Sequence, residues 1–221
     1  MKPVESLAHL LAKSRRHLTA EIIDALDRAH ETVVFGSSAC CLRTPHSDLD
    51  LLCVSQRTFH YSSRIIDIVC LSEQDAHEGL WLGSELAGHV VRYGVWIDGE
   101  STWAESVRLS SDALLKKKRR IEAYAAALGQ RWSNLDGLFR SKYILKLRRE
   151  TQRLLLLQQG TPIPPTRLLD LEWWSNHDAC TRVFSELSKF LRSQPQAFYK
   201  EFEEMTQVER QLGADNRRVP Q

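Results

Sequence analysis

Apolar residues near the start of the chain recur at helical spacing: Leu7, Leu10, Leu11, Leu18, Ile22, Ile23 and Leu26, with Lys, Arg and Glu between them. That spacing predicts an amphipathic helix, or a broken pair of helices, over residues 4–29. The period then shortens. Thr32-Val33-Val34-Phe35 is a β-branched and aromatic run stopped by Gly36, which reads as a strand closed by a sharp turn. Residues 48–54 and 64–71 predict two further strands, and the polar stretch 55–63 between them has the character of a hairpin loop. A fourth apolar run, 93–98, ends at Gly99.

The texture changes after about residue 110. Ser110-Ser111-Asp112 is suited to cap a helix running to Gly129. Residues 134–159 form a long helical segment with Leu138, Ile144, Leu147 and Leu154 on one side. Gly160 ends it, and Thr161-Pro162-Ile163-Pro164-Pro165 is a stiff connector. Further helices fit 166–174, 178–192 and 195–212, and residues 217–221 read as a loose end. The expected architecture is α+β: a small mixed-sheet domain over 1–109 followed by an all-helical domain over 110–221.

Composition narrows the class without naming a function. Of 221 residues, 43% are hydrophobic and 26% charged, ordinary values that exclude a disordered chain, a collagen-like chain or a coiled-coil rod. The apolar runs are too short to span a bilayer and the N-terminus has no apolar core of a signal peptide, so a cytoplasmic protein without a membrane partner is expected. Cys40, Cys41, Cys53, Cys70 and Cys180 are odd in number and lack a C-x-x-C pair, which favours reduced thiols over a zinc site or a disulfide framework. The net charge of +2 conceals an uneven distribution. Residues 114–153 hold twelve Lys and Arg against three acids, whereas 51–113 hold four basic and nine acidic residues. Lys142, Lys146 and Arg149 form a stripe at helical spacing that Arg153 continues, a candidate surface for a triphosphate or an RNA backbone. The pentad Lys116-Lys117-Lys118-Arg119-Arg120 wraps around its helix and cannot all face one ligand.

The candidate chemistry lies in Val33-Val34-Phe35-Gly36-Ser37-Ser38 and Thr44-Pro45-His46-Ser47-Asp48-Leu49-Asp50-Leu51-Leu52-Cys53-Val54. Residues two apart on a strand share a face, so Asp48 and Asp50 project together while Leu49 and Leu51 face the core. Two such carboxylates repel unless a cation lies between them, and oxygen-only ligation suits Mg²⁺ better than zinc. A third acid, Asp67, interrupts the apolar run Ile65-Ile66-Asp67-Ile68-Val69, where an unpartnered carboxylate is costly. If its strand neighbours 48–54, the three acids can hold two divalent ions of the kind that serve in-line phosphoryl displacement. Gly36 allows close backbone approach to a phosphate, and Ser37 adds a hydroxyl donor.

The spacing G-S-x10-D-x-D with a later acid on an apolar strand resembles the DNA polymerase β-like nucleotidyltransferase superfamily. The string Pro45-His46-Ser47-Asp48-Leu49-Asp50-Leu51-Leu52 looks most like aminoglycoside adenylyltransferases and minimal nucleotidyltransferases. The resemblance covers about residues 30–100, including Ser84 to Trp96, which is similar to the helix and last strand of such domains. It implies Gly36 and Ser37 on the triphosphate of ATP or another nucleoside triphosphate, with Ser47 and Arg43 as further nucleotide contacts. It implies Asp48, Asp50 and Asp67 on Mg²⁺ (two ions, with Mn²⁺ as a substitute), and Asp67 as a base toward the acceptor hydroxyl. It also implies a helical domain that helps to bind substrate. Many minimal members carry Arg and Gly where this chain has Cys40 and Cys41, with Arg43 nearby.

The expected activity is Mg²⁺-dependent transfer of a nucleoside monophosphate, AMP from ATP first, to a hydroxyl of a small molecule or protein. Two alternatives stay open: an RNA or tRNA acceptor bound through the basic 114–153 segment, and a non-catalytic antitoxin or binding module. A homodimer is compatible with the sequence.

Overall fold

The computed structural model describes residues 3–175, 177–192, 194–196, 198–200 and 203–204. Most of the expected helix 195–212 and all of the loose end 217–221 lie outside the described residues. The chain forms two compact units, Met1–Ala113 with Pro162–Arg167, and Leu114–Thr161 with Leu168–Gln221.

The first unit is a five-stranded mixed sheet with helices on both faces. Its elements are α1 (Pro3–Arg15), α2 (Ala20–Asp27), β1 (Glu31–Phe35), α3 (Gly36–Ala39), β2 (Leu49–Ser55), β3 (Phe59–Ser62), β4 (Ile66–Ser72), α4 (Glu73–Ala76), α5 (Gly79–Leu82), α6 (Glu85–Tyr93) and β5 (Val95–Asp98). The strand order is β3-β4-β2-β1-β5. Only the β2–β4 pair is parallel. The strand β3 corrects the expectation of a plain loop over 55–63. Phe59 and Tyr61 are half-buried and His60 and Ser62 exposed, so the segment has the period of a half-covered edge strand. Its two polar positions hid that period in the sequence.

Alternation along the central strands sorts side chains into two layers. Leu49, Leu51 and Cys53 of β2, with Val34, Ile66, Ile68 and Cys70, pack against Leu7 of α1 and Leu26 of α2. Leu52 and Val54, with Val33, Phe35 and Leu71, pack against Trp81, Ala87, Val90 and Trp103 on the other face. Because β2 is covered on both faces it reads as almost continuously apolar, and Asp50 is its one charged residue. At the start of β1, the buried Glu31 carboxylate accepts N–H bonds from Trp96 and Trp103, at 2.8 and 3.0 Å. That pairing offsets the desolvation that would make an isolated carboxylate untenable there.

The second unit is helical, built from α8 (Gly137–Gln158), α10 (His177–Leu191) and all but the first residues of α7 (Ser111–Arg131) and α9 (Thr166–Ser175). Ile121, Leu128, Trp132, Ile144, Leu147, Leu154, Leu187 and Phe190 are among its core residues. The charges expected to form a ligand-facing stripe are largely engaged within the unit. Arg149 donates to Asp170 at 2.9 Å and Arg153 to Glu150 at 2.6 Å. Lys146 lies 4.7 Å from the Tyr124 ring centroid and Lys142 5.5 Å from that of Phe139. Lys117 leaves the basic pentad entirely: it is buried and bonded to Glu150 at 2.9 Å. Lys116, Lys118, Arg119 and Arg120 stay exposed. No helix among the described residues is long and apolar enough to cross a membrane.

Candidate functional site

The sheet register assembles the site. Phe35 pairs with Asp50, Asp50 with Asp67, and Asp67 with Ser62, so one transverse row runs β1-β2-β4-β3. Residues directly opposite on paired strands share a face. Asp50 and Asp67, 17 positions apart in the sequence, are thereby neighbours on the face that carries Leu52 and Val54. Asp48 precedes β2 and lies close enough to act on Asp50 electrostatically. Burial pushes the Asp50 carboxyl up from 3.8 to about 7, and the like charges of Asp48 and Asp67 push it the same way.

The turn after β1 meets this row. Gly36 has φ +66°, in the left-handed region, and a Cβ there would fall 2.0 Å from Oδ2 of Asp50. Glycine is thus required twice: by its backbone conformation and by the carboxylate lying against it. Ser37 follows and is half-buried. The short helix α3 ends in a left-handed cap. The Leu42 N–H bonds back to the Ser37 carbonyl at 2.8 Å, and Cys41 has φ +57°. Glycine is usual at such a helix end. The backbone therefore keeps a glycine conformation although Cys occupies the position.

Arg43 and Ser47 lie in the next turn and hold it closed. Ser47 Oγ accepts the Thr44 N–H at 3.0 Å, and Arg43 donates to the Ser47 carbonyl at 3.3 Å. His46 is exposed. Burial, with Cys41 beside it, raises the Cys40 thiol above its ordinary value, which makes it a poor nucleophile. All five cysteines are free thiols. Cys53 and Cys70, paired in register in the core, are raised by burial to about 12 and about 11.

Two residues that the sequence did not single out join the site. Arg167, from the 162–167 segment of the first unit, donates to the Leu42 carbonyl at 3.1 Å and so adds a guanidinium to the loop after Ser37. The same segment is tied down by His89, whose Nδ1–H donates to the Ile163 carbonyl at 2.6 Å. The second residue is His60 on β3, bonded through Nε2 to Asp67 Oδ1 at 2.9 Å. No local pattern announces either one. Arg167 is 125 positions from its partner, and His60 belongs to a strand that reads as a loop.

Among the described residues no three His, Cys, Asp or Glu side chains are gathered tightly enough to hold a metal ion as they stand. The chemistry of Asp48, Asp50 and Asp67 nonetheless fits a hard divalent cation. The donors are all oxygen, they are anionic, and a cation among them relieves the repulsion that raises Asp50.

No protein-family model matches the chain. No curated protein matches it. Among solved structures it is similar to the spectinomycin adenyltransferase AAD(9) from Enterococcus faecialis, crystallised with ATP and spectinomycin. The two are 15% identical, the match covers 92% of this chain and 99% of that one, and the TM-score is 0.43. It is also similar to a nucleotidyltransferase-like protein from Exiguobacterium sibiricum 255-15, at 16% identity, with 83% of this chain and 75% of that one covered and a TM-score of 0.31. Both TM-scores are below one half, so the site stands on its own residues.

Proposed function

We propose that the protein is a nucleotidyltransferase that moves a nucleoside monophosphate, AMP from ATP, onto a hydroxyl of a small acceptor. The observation that carries this reading is the register that sets Asp50 beside Asp67 with the Gly36 backbone pressed against Asp50. In this reading residues 1–109 form the catalytic domain, to which the returning 162–167 segment adds Arg167, and the rest of 110–221 is the substrate-binding domain. Gly36 and Ser37 receive the triphosphate. Arg43 and Arg167 add positive charge to the loop beside it.

Asp48, Asp50 and Asp67 would hold one or two Mg²⁺ ions, which would neutralise charge on the reacting phosphates. Asp67 takes the proton of the acceptor hydroxyl. The acceptor oxygen attacks the α-phosphorus, the bond to the β-phosphate bridging oxygen breaks, and pyrophosphate leaves. The acidic balance of residues 51–113 favours a cationic acceptor. A small acceptor is preferred to RNA because Arg149 and Arg153 of the basic stripe are bonded to Asp170 and Glu150.

The test is incubation with Mg²⁺, each of the four labelled nucleoside triphosphates and a panel of hydroxyl acceptors. Pyrophosphate release with labelled acceptor is expected, and Asp50→Asn and Asp67→Asn should abolish it. A folded protein that binds no nucleoside triphosphate in the presence of metal would overturn the proposal.

A further inference from the structure

We propose that His60 is the positioning residue of Asp67: its Nε2–H holds Oδ1, leaving Oδ2 to meet a divalent cation or the acceptor hydroxyl. The inference rests on the nucleotidyltransferase reading and assigns to that site a residue from the edge strand.

The sheet explains why a histidine reaches this carboxylate. His60 pairs with Val69 and Ser62 with Asp67, so His60 is the diagonal neighbour of Asp67 on the same face. Diagonal neighbours lie roughly 7–8 Å apart, within reach of a ring and a carboxylate together but beyond two short side chains. Ser62, directly opposite Asp67, is small enough to leave the imidazole room. The bond is 2.9 Å long. A carboxylate oxygen can only accept here, so the proton is on Nε2.

The platform is anchored at both ends. Thr58, just before β3, accepts the Ser72 N–H at 2.8 Å and donates to Asp75. Just after β3, the Ser63 N–H bonds to the Ile66 carbonyl at 2.9 Å. Asp67 itself is only 28% exposed and His60 61% exposed, so the histidine covers the carboxylate from the open edge of the sheet. An ordinary surface ion pair contributes little to stability. A hydrogen bond that fixes the orientation of a metal-binding side chain commonly changes metal affinity ten- to a hundredfold.

Mn²⁺ binding to the intact chain, measured by the electron paramagnetic resonance of free Mn²⁺ with and without ATP, separates these roles without needing an acceptor. His60→Ala should weaken Mn²⁺ binding about tenfold. His60→Asn, polar but too short to span the diagonal, should behave like His60→Ala. His60→Gln, which retains a donor at the same reach, should stay within about threefold of the unaltered protein. All three should melt within a few degrees of it, because the side chain is on the exposed edge. Mn²⁺ binding that Asp67→Ala weakens and His60→Ala leaves unchanged overturns the role of His60 alone, as does failure of His60→Gln to differ from His60→Ala. A protein that binds no Mn²⁺, even with ATP, overturns the reading of the site and the proposal with it.

Discussion

Replacing Asp50 with Asn should make the folded protein more stable at pH 8 while removing its chemistry. Asp50 keeps its proton in the folded chain up to about pH 7, against 3.8 for its ordinary value. Between those limits the folded state binds more protons than the unfolded state, so stability falls as pH rises through the window. Below about pH 4 both states hold the proton and Asp50 costs nothing; above 7 the whole penalty applies. A shift of this size corresponds to roughly 4 kcal/mol, which the water reaching a half-buried group reduces to about 2 kcal/mol.

Asn has nearly the shape of the protonated acid and escapes the penalty. Urea unfolding of the two proteins from pH 4 to 9 is the assay. The stability gap should open above about pH 4, grow to about 2 kcal/mol and level off beyond pH 7, equivalent to about 4–8 °C in Tm for a chain of this size. Mg²⁺ should raise the Tm of the unaltered protein at pH 8 and leave that of Asp50→Asn nearly unchanged. A gap that does not change with pH, or an Asn variant less stable at pH 8, would refute the placement of Asp50 among repelling carboxylates.

Three other substitutions probe the scaffold. Gly36→Ala should destabilise by about 2–4 kcal/mol in thermal melts, from left-handed strain and the overlap with Asp50, and the loss should shrink to about 1–2 kcal/mol in an Asp50→Ala background. Cys41→Gly should stabilise by about 1 kcal/mol, or about 2–4 °C, because the helix cap holds residue 41 at positive φ; an equal or lower Tm would count against that cap. Burial raises the Glu150 carboxyl, but Lys117 and Arg153 outweigh it and hold the carboxyl below its usual value. Lys117→Met should therefore cost about 3 kcal/mol in urea unfolding, and adding Glu150→Leu should recover much of it.

The helices of the second unit are readable because Ile144, Leu147 and Leu154 repeat at the period of the structure they form, although Leu138, expected on the same side, is 65% exposed. The same holds for β1 and β2, whose apolar runs are short and bounded by turn residues. Strand β3 was not readable. Half of an edge strand faces water, so His60 and Ser62 look like loop residues. The basic stripe was misleading for a related reason. Spacing placed Arg149 on one side of a helix, but it could not reveal Asp170, which arrives from a different helix to engage it.

Neighbouring residues alone set out the local chemistry: the glycine turn, two acids two positions apart, and a third acid inside an apolar strand. Those are consequences of backbone geometry over a few residues. Which distant groups meet depends on the packing of the whole sheet. The parallel pairing of β2 with β4 sets Asp67 beside Asp50, the edge pairing of β3 brings His60 to Asp67, and the 162–167 segment carries Arg167 to Leu42. Strand register and chain return depend on how two layers of apolar side chains pack over the whole sheet, and no window of neighbouring residues contains that information.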